Sequence, residues 1–337
     1  MILITGGTGY IGSHVVVELV KNSHEVLIID NLSNSSKKAL EGIKKITQKD
    51  IIFEKIDLRN SNALEKLFNK YTFEAVIHLA GLKSVKKSNE TPSEYFENNV
   101  QGTKNLISVM KKSKVKKLVF SSSATVYGIP KSLPIYESSD IGNTTSVYGK
   151  TKYMVENILR EIWKKDNEWR ICILRYFNPI GAHSSGLIGE SPKGIPDNLL
   201  PYLFNVASGV LEKLEIFGDD YSTPDGSGIR DYIHIEDLAK GHSCALEYLS
   251  DKNIISFFNL GTGKGFSVFE ILKTFKKVTN IDIPYKVVGR RSGDISEIFA
   301  DVSLAKKNLN WTAKKNLEEM ICDGWNWQKK NLNLKDK

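Results

Sequence analysis

Tyr148 and Lys152 stand four residues apart in a stretch that reads as a helix, so both side chains fall on one helical face. Such a pair can move protons. A free phenol titrates near pH ~10, too high for a base at neutral pH. Lowering it by ~3 units takes about 4 kcal/mol of selective phenolate stabilisation, and a cation ~4 Å away at an effective dielectric of ~20 supplies about that much. Taken alone, the pair is commonplace in helices. It does not stand alone. An apolar run at 118–122 leads into Ser121-Ser122-Ser123-Ala124-Thr125-Val126-Tyr127-Gly128. A hydroxyl at the carboxyl end of a parallel strand lies where ligands bind in such sheets, so Ser123 can share a substrate hydroxyl with Tyr148. The serines lack a Gly-x-Ser-x-Gly elbow, which disfavours a serine hydrolase.

A second motif opens the chain. Residues 2–5 form an apolar run that enters Gly6-Gly7-Thr8-Gly9-Tyr10-Ile11-Gly12 and then a helical pattern at 11–22. The glycines at this spacing suit a tight turn that brings backbone close to a pyrophosphate and packs a helix on its strand. The free N–H groups at the helix start face the phosphates. Asp30 ends the second apolar run, where a carboxylate accepts hydrogen bonds from an adenosine ribose and repels a 2′-phosphate. The cofactor expected is therefore NAD and not NADP, and Lys152 plus its oxidised nicotinamide ring together could supply the phenolate stabilisation that Tyr148 needs. The plainer reading is a simple turn and a strand-end acid.

Positioning these groups requires a sheet. Short β-branched runs at 2–5, 26–30, 51–56, 75–79, 118–122 and 171–176 read as buried parallel strands. Between them lie helical patterns at 11–22, 62–70 and 92–112. The fold class expected is α/β: a doubly wound parallel sheet of Rossmann type with a smaller mixed C-terminal substrate lobe. The division expected is 1–178 for the nucleotide domain, with 233–262 returning to it, and 179–232 plus 263–337 for the lobe. The stretch 179–232 reads as loops with one helix near 198–208. Further helices are expected at 235–249, at 267–277 and over a Trp-rich stretch ending near Trp327, with a strand near 256–260.

At 337 residues, 41% hydrophobic and 26% charged, the chain is neither disordered nor fibrous. Cys172, Cys244 and Cys322 are odd in number and far apart, so no disulfide framework is expected. Neither they nor the six histidines show metal-ligand spacing, and no metal is expected. The +8 charge comes from scattered lysines outside any nucleic-acid motif, so no nucleic-acid partner is expected. No run approaches the ~20 apolar residues of a membrane span, and the N-terminal apolar run is too short for a signal peptide. The reading is a cytoplasmic protein with no membrane partner.

Longer stretches sharpen the picture: His78-Leu79-Ala80-Gly81-Leu82-Lys83, Ser121 to Gly128, Arg175-Tyr176-Phe177-Asn178-Pro179-Ile180-Gly181-Ala182-His183, Gly194-Ile195-Pro196-Asp197-Asn198-Leu199 and Gly228-Ile229-Arg230-Asp231-Tyr232-Ile233-His234. With the motifs above, almost the whole chain resembles the extended short-chain dehydrogenase/reductase superfamily and, within it, the UDP-glucose 4-epimerase family. Nucleotide-sugar 4,6-dehydratases carry Thr-Asp-Glu where this chain has Ser123-Ala124-Thr125, so a dehydratase is disfavoured.

The resemblance implies an NAD-dependent enzyme that interconverts UDP-glucose and UDP-galactose through a 4-keto intermediate. It implies Tyr148 as base, with Lys152 and Ser123. It assigns NAD to Gly6, Gly9, Tyr10, Ile11, Gly12, Asp30, Asn31, Asp57, Leu58, Leu79, Ala80, Gly81, Lys83, Asn98, Ser122, Tyr148, Lys152 and Tyr176. It assigns the UDP-hexose to Ser123, Tyr148, Asn178, Asn198, Leu199, Phe217, Arg230, Tyr232, Arg291, Asp294 and Ile298. The arginines suit a diphosphate, and their plainer reading is an ion pair within the protein. Asp197, His78, His183 and His234 have dull readings, with His78 a packed histidine. Tyr176 and Phe177 read as pocket walls. A homodimer through 92–112 and 148–163 is implied, and Ile298, where a tyrosine would exclude an N-acetyl group, leaves room for UDP-N-acetylhexosamines. The runner-up is another NAD-dependent nucleotide-sugar oxidoreductase of the same superfamily; a further alternative is a catalytically silent NAD-binding protein.

Overall fold

Seven strands form one parallel sheet, described here in a computed structural model that covers residues 1–250, 253–291 and 293–334. Its central strands are buried on both faces, whereas the edge strand Ile52–Lys55, expected to be buried, is half-exposed and ends in Glu54 and Lys55. In space they run Ile255–Leu260, Arg170–Tyr176, Lys117–Ser123, Ala75–His78, Ile2–Thr5, Val26–Asp30, Ile52–Lys55. Every neighbouring pair is parallel. The chain lays down its first three strands in one direction, then crosses back to place Ala75–His78 on the other side of Ile2–Thr5. The connections therefore diverge at the carboxyl ends of Thr5 and His78, the crevice where such sheets bind ligands.

Side chains alternate across the sheet. Ile2 and Ile4 pack with Val15, Val16, Leu238 and Leu246 beneath helices Tyr10–Lys21 and Ile235–Tyr248. Leu3 packs with Leu106, Met110, Val155 and Leu159 beneath helices Gly102–Lys112 and Val147–Lys165. Both layers are buried apolar clusters, which is why the strands read as continuous apolar runs.

The structure corrects several expectations. Helices Lys38–Thr47 and Val85–Glu90 were not expected, and the last helix, Leu317–Asn331, runs past Trp327. The helix expected over 92–112 is interrupted: Pro92–Tyr95 and Gly102–Lys112 flank a π-helical segment, Phe96–Gln101. This widened turn carries Asn99 inward, where its carboxamide accepts from Leu82 N at 2.8 Å and donates to Leu82 O at 3.0 Å and Thr151 Oγ1 at 3.1 Å. Helical periodicity alone does not report such a turn.

The stretch 179–232 is also more ordered than expected. Strand Ile229–His234 pairs with Asn178–Ile180, Gly265–Ser267 and Glu297–Ile298, and Leu214–Phe217 pairs with Tyr285–Val288. Strands of two to six residues carry too little alternation to stand out among glycines and prolines. Asp231 locks this smaller sheet in place. Its buried carboxylate accepts from Thr262 N and Oγ1, both at 2.7 Å, from Gly263 N at 3.0 Å and from Ala300 N at 3.2 Å.

Candidate active site

Helix Val147–Lys165 starts at Ser146, whose hydroxyl accepts from Gly149 N at 3.1 Å. Tyr148 and Lys152 then face the end of strand Lys117–Ser123. The Lys152 ammonium donates to Ser121 O at 2.7 Å, lies 5.0 Å from the Phe120 ring centre and 5.8 Å from that of Tyr148. Ser123 accepts from Thr125 N at 3.2 Å and from Thr125 Oγ1 at 3.0 Å. With both lone pairs engaged, its own O–H remains free to donate. It hydrogen-bonds to Tyr148. The three groups expected to do chemistry thus converge, and Thr125, which the sequence reading used only to disfavour a dehydratase, orients Ser123.

The chain's own groups set the starting point from which Lys152 and an oxidised nicotinamide together are expected to lower the phenol. Burial pushes Tyr148 up to about 12, and the hydrogen bond from Ser123 only partly opposes this. Burial also pulls Lys152 down to about 8, with Glu156 acting the other way. The protein's own groups therefore hold the proton on Tyr148. A cation held ~4 Å away would lower the phenol by about 3 units at an effective dielectric of ~20.

The crevice beside this trio carries the glycine turn. Gly6 has φ +72, and a Cβ there would lie 2.8 Å from Ala80 Cα; at Gly12 it would lie 2.1 Å from Gly6 O. Helix Tyr10–Lys21 begins at Gly9 with no side-chain cap and no acid in its first turn, which leaves its N–H groups to an anion. A Cβ at Gly81 would lie 3.1 Å from Asn99 Oδ1 and 4.0 Å from Lys152 Nζ, so bare backbone lines the floor beside Lys152. Ile11 is half-buried, and Leu79 N and Ala80 N both donate to Thr5 Oγ1, at 3.2 and 3.1 Å. Asp30 ends its strand nine-tenths buried and accepts from Leu32 N and Ser35 Oγ. Asn31 donates to Asp57 at 2.9 Å, and Arg59 beside Asp57 holds its carboxyl well below the usual range. Leu58 is buried behind them.

Three expected cofactor residues are used differently. The Ser122 hydroxyl points to the opposite sheet face from Ser123 and donates to Glu156 at 2.6 Å, so only its backbone faces the crevice. The Tyr176 hydroxyl donates to Nε2 of His242 in the core, which makes Tyr176 a wall. Asn98 turns back to Glu94 O at 2.8 Å, and Asn99, which was not expected, is the buried asparagine. His78 behaves as a packed histidine between Thr5 at 2.7 Å and Thr103 at 2.8 Å; burial lowers it to about 3 and keeps it neutral.

On the lobe side, Arg230 and Arg291 meet at one carboxylate, and Phe217 lies against Arg291. Arg291 Nε lies 2.9 Å and Arg230 Nη2 3.7 Å from Asp294, and the Arg291 guanidinium lies 4.7 Å from the Phe217 ring centre. The arginines are thus ion-paired within the protein, though Arg291 stays half-exposed. Tyr232 is buried in the lobe core with Leu200, Phe204 and Phe275, against which Leu199 packs. Asn178 is exposed, opposite Tyr232. Ile298 packs with Ala124 and Phe177, next to Ser123.

Glu190 was missed. Its Oε1 accepts from Lys83 Nζ at 2.6 Å and from Asn198 Nδ2 at 3.2 Å, which joins an expected cofactor residue to an expected substrate residue. Tyr10 lies in the same group, its hydroxyl 2.7 Å from Gly181 O and its ring 5.7 Å from Lys83 Nζ. No local motif marks a glutamate whose partner is 107 residues away. Asp197 accepts from Ser84, His183 lies 3.1 Å from Lys21, and His234 caps helix Ile235–Tyr248, all outside the trio.

Comparison with known proteins matches this geometry. The chain is 52% identical over 332 residues to the UDP-glucose 4-epimerase of Bacillus subtilis, covering 98% of each chain. The crystal structure of UDP-glucose 4-epimerase from Bifidobacterium longum in complex with NAD+ and UDP superposes with a TM-score of 0.95 at 48% identity, covering 98% of this chain and 99% of the other. UDP-glucose-4-epimerase from Stenotrophomonas maltophila, with bound NAD and formylated UDP-arabinopyranose, gives a TM-score of 0.96 at 43% identity over 99% of each chain. A family model described as "NAD dependent epimerase/dehydratase family" matches residues 2–261, which include the glycine turn, Asp30, Ser123 and the Tyr148 helix. Because that match takes in every element that builds the crevice, the chain belongs to the NAD dependent epimerase/dehydratase family.

Proposed function

We propose that this protein interconverts UDP-glucose and UDP-galactose by epimerisation at C4 of the hexose, with NAD as a resident cofactor. The observation that carries the reading is the convergence of Ser123, Tyr148 and Lys152 beside the crevice at Thr5 and His78. The residues there fit a dinucleotide: an uncapped helix start after the glycine turn, bare backbone at Gly81 and a carboxylate at Asp30. NAD, when bound, supplies a hydride acceptor that later returns the hydride, so no net oxidation results. The chain's own residues handle the proton and the orientation. Tyr148 Oη takes the proton of the sugar O4 and gives it back. The Lys152 ammonium stabilises the phenolate, and when the sugar is bound the Ser123 O–H turns from Tyr148 to O4 and orients it. Arg230 and Arg291 hold the diphosphate, the linkage about which a 4-keto hexose presents its other face. Incubation with UDP-galactose and no added cofactor is expected to yield UDP-glucose without free NADH. NADH released in proportion to product would mean a net oxidoreductase and overturn the reading.

Asp30→Ala is expected to lower the preference for NAD over NADP by about tenfold or more, because it removes a ribose acceptor and the repulsion of a 2′-phosphate. Titration of cofactor-stripped protein with both dinucleotides measures this, and an unchanged ratio refutes it.

Ile298 supports a wider substrate range. It is a branched apolar wall beside Ala124 and Phe177, smaller than a tyrosine and without a hydroxyl to satisfy. UDP-N-acetylgalactosamine is expected to be epimerised, and Ile298→Tyr to lose that activity while keeping UDP-galactose turnover. N-acetyl activity unchanged in Ile298→Tyr would remove this residue as the gate.

The functional unit we infer is a homodimer in the cytoplasm. Helix Val147–Lys165 presents a largely apolar groove lined by Asn157, Ile158, Glu161, Ile162 and Lys165, a surface suited to a second copy across a two-fold axis. The three cysteines are free thiols, as suits a reducing compartment. No helix of the described residues is long and apolar enough to cross a membrane. Light scattering at micromolar concentration is expected to give twice the chain mass, and a monomer mass would overturn the dimer.

A further inference from the structure

Behind the Tyr148–Lys152 pair lies a charge pair with no role in the chemistry above. Glu156 follows Lys152 by one helical turn, and both Glu156 and Arg175 are fully buried. Their contact is bidentate, with Arg175 Nε 3.0 Å from Oε1 and Nη2 2.7 Å from Oε2 of Glu156. Oε1 also accepts from Ser122, the neighbour of Ser123. Arg175 precedes Tyr176, the residue in register with Ser123. Its Nη1 donates to Tyr127 Oη at 2.9 Å and to Glu137 O at 3.1 Å, and Tyr127 donates to Asn259 at 2.6 Å. The network thus ties helix Val147–Lys165 to the three neighbouring strands at one side of the sheet, Lys117–Ser123, Arg170–Tyr176 and Ile255–Leu260. Stability is a poor reason for it, since well-packed apolar residues often replace such pairs at no loss.

We propose that Glu156, held by Arg175 and Ser122, is a positioning residue that keeps the Lys152 side chain charged and the Tyr148 helix in register with Ser123. The inference rests on the epimerase reading. Lys152 is surrounded by groups that do not carry negative charge: Ser121 O, the Phe120 ring, Tyr148 on its own helix, and His78, which burial keeps neutral. The phenols near Tyr148, Tyr95 and Tyr176, are pushed up by burial and stay protonated. Arg160, one turn beyond Glu156, and Arg175 are cations on the far side. Glu156 is the anion that acts on Lys152. Glu156 lies one helical turn from Lys152 and Arg175 binds it from the far side, so the guanidinium offsets only part of the carboxylate's field at the ammonium.

The test is the pH profile of kcat in intact holoenzyme for UDP-galactose epimerisation. In Glu156→Gln, which keeps the shape and a hydrogen bond to Ser122, the alkaline limb is expected to move to lower pH by on the order of one unit. Because this variant leaves the Arg175 guanidinium uncompensated and lowers the yield of folded protein, the double variant Glu156→Gln with Arg175→Met is read beside it. It is expected to keep a smaller downward shift, since the closer charge has been lost. A purely structural network would lower kcat or Tm and leave the limb in place, and an unmoved limb in the double variant overturns the proposal. Absence of epimerisation by the wild-type protein would instead refute the epimerase reading itself.

Discussion

Tyr148→Phe is expected to lower kcat by about 10²–10⁴-fold while the protein stays folded and keeps its NAD. The substitution removes one oxygen. That oxygen is the only group at the end of strand Lys117–Ser123 that combines a transferable proton, a hydrogen bond to Ser123 and a lysine ammonium near its ring. The stability change is on the order of 1 kcal/mol, the worth of one hydrogen bond. Ser123→Ala is expected to cost less, because Ser123 donates and orients but does not hold the proton during turnover. Steady-state kinetics, with Tm and bound-NAD absorbance as controls, check both. Near-wild-type turnover of Tyr148→Phe would mean that another group is the base. A larger loss in Ser123→Ala than in Tyr148→Phe would reverse the division of labour between them.

Gly12→Ala is expected to destabilise the fold by about 3 kcal/mol and to empty the enzyme of NAD. A Cβ at residue 12 would lie 2.1 Å from Gly6 O and 2.7 Å from Gly7 Cα. Both atoms are backbone, so neither can rotate away. Helix Tyr10–Lys21 would have to lift from its strand, carrying with it the N–H groups that face the phosphates. Gly289→Ala is the matched control, because a Cβ there meets nothing within 4 Å. Thermal unfolding and NAD content of the purified variants decide the matter. Full NAD occupancy in Gly12→Ala would show that the turn has more slack than these distances allow.

The local patterns carried most of the fold and the centre of the site. A buried parallel strand is mostly apolar, so the six runs of the first half announced themselves, though the run at 51–56 is a half-exposed edge strand, and Ser123 fell at the end of one of them. Helical spacing placed Tyr148 and Lys152 on one face, and the glycine turn declared itself because only glycine tolerates the close approaches at Gly6 and Gly12. In each case the physical constraint acts over a few neighbouring residues, and neighbouring residues record it. What the tertiary structure alone decided has the opposite character. The π-helical turn that brings Asn99 to Thr151, the Glu190 bond to Lys83, and the pairing of Arg230 with Asp294 beside Arg291 each depend on groups far apart in sequence. Spacing also left the charge balance undecided. An interval of four from Tyr148 to Lys152 shows that a cation can stand beside the phenol, but not that burial, a property of everything packed around the ring, pushes it up to about 12 in the chain alone. Residue type and interval determine which groups can meet along one helix or strand, whereas desolvation and long-range pairing depend on what the rest of the chain brings to the same place.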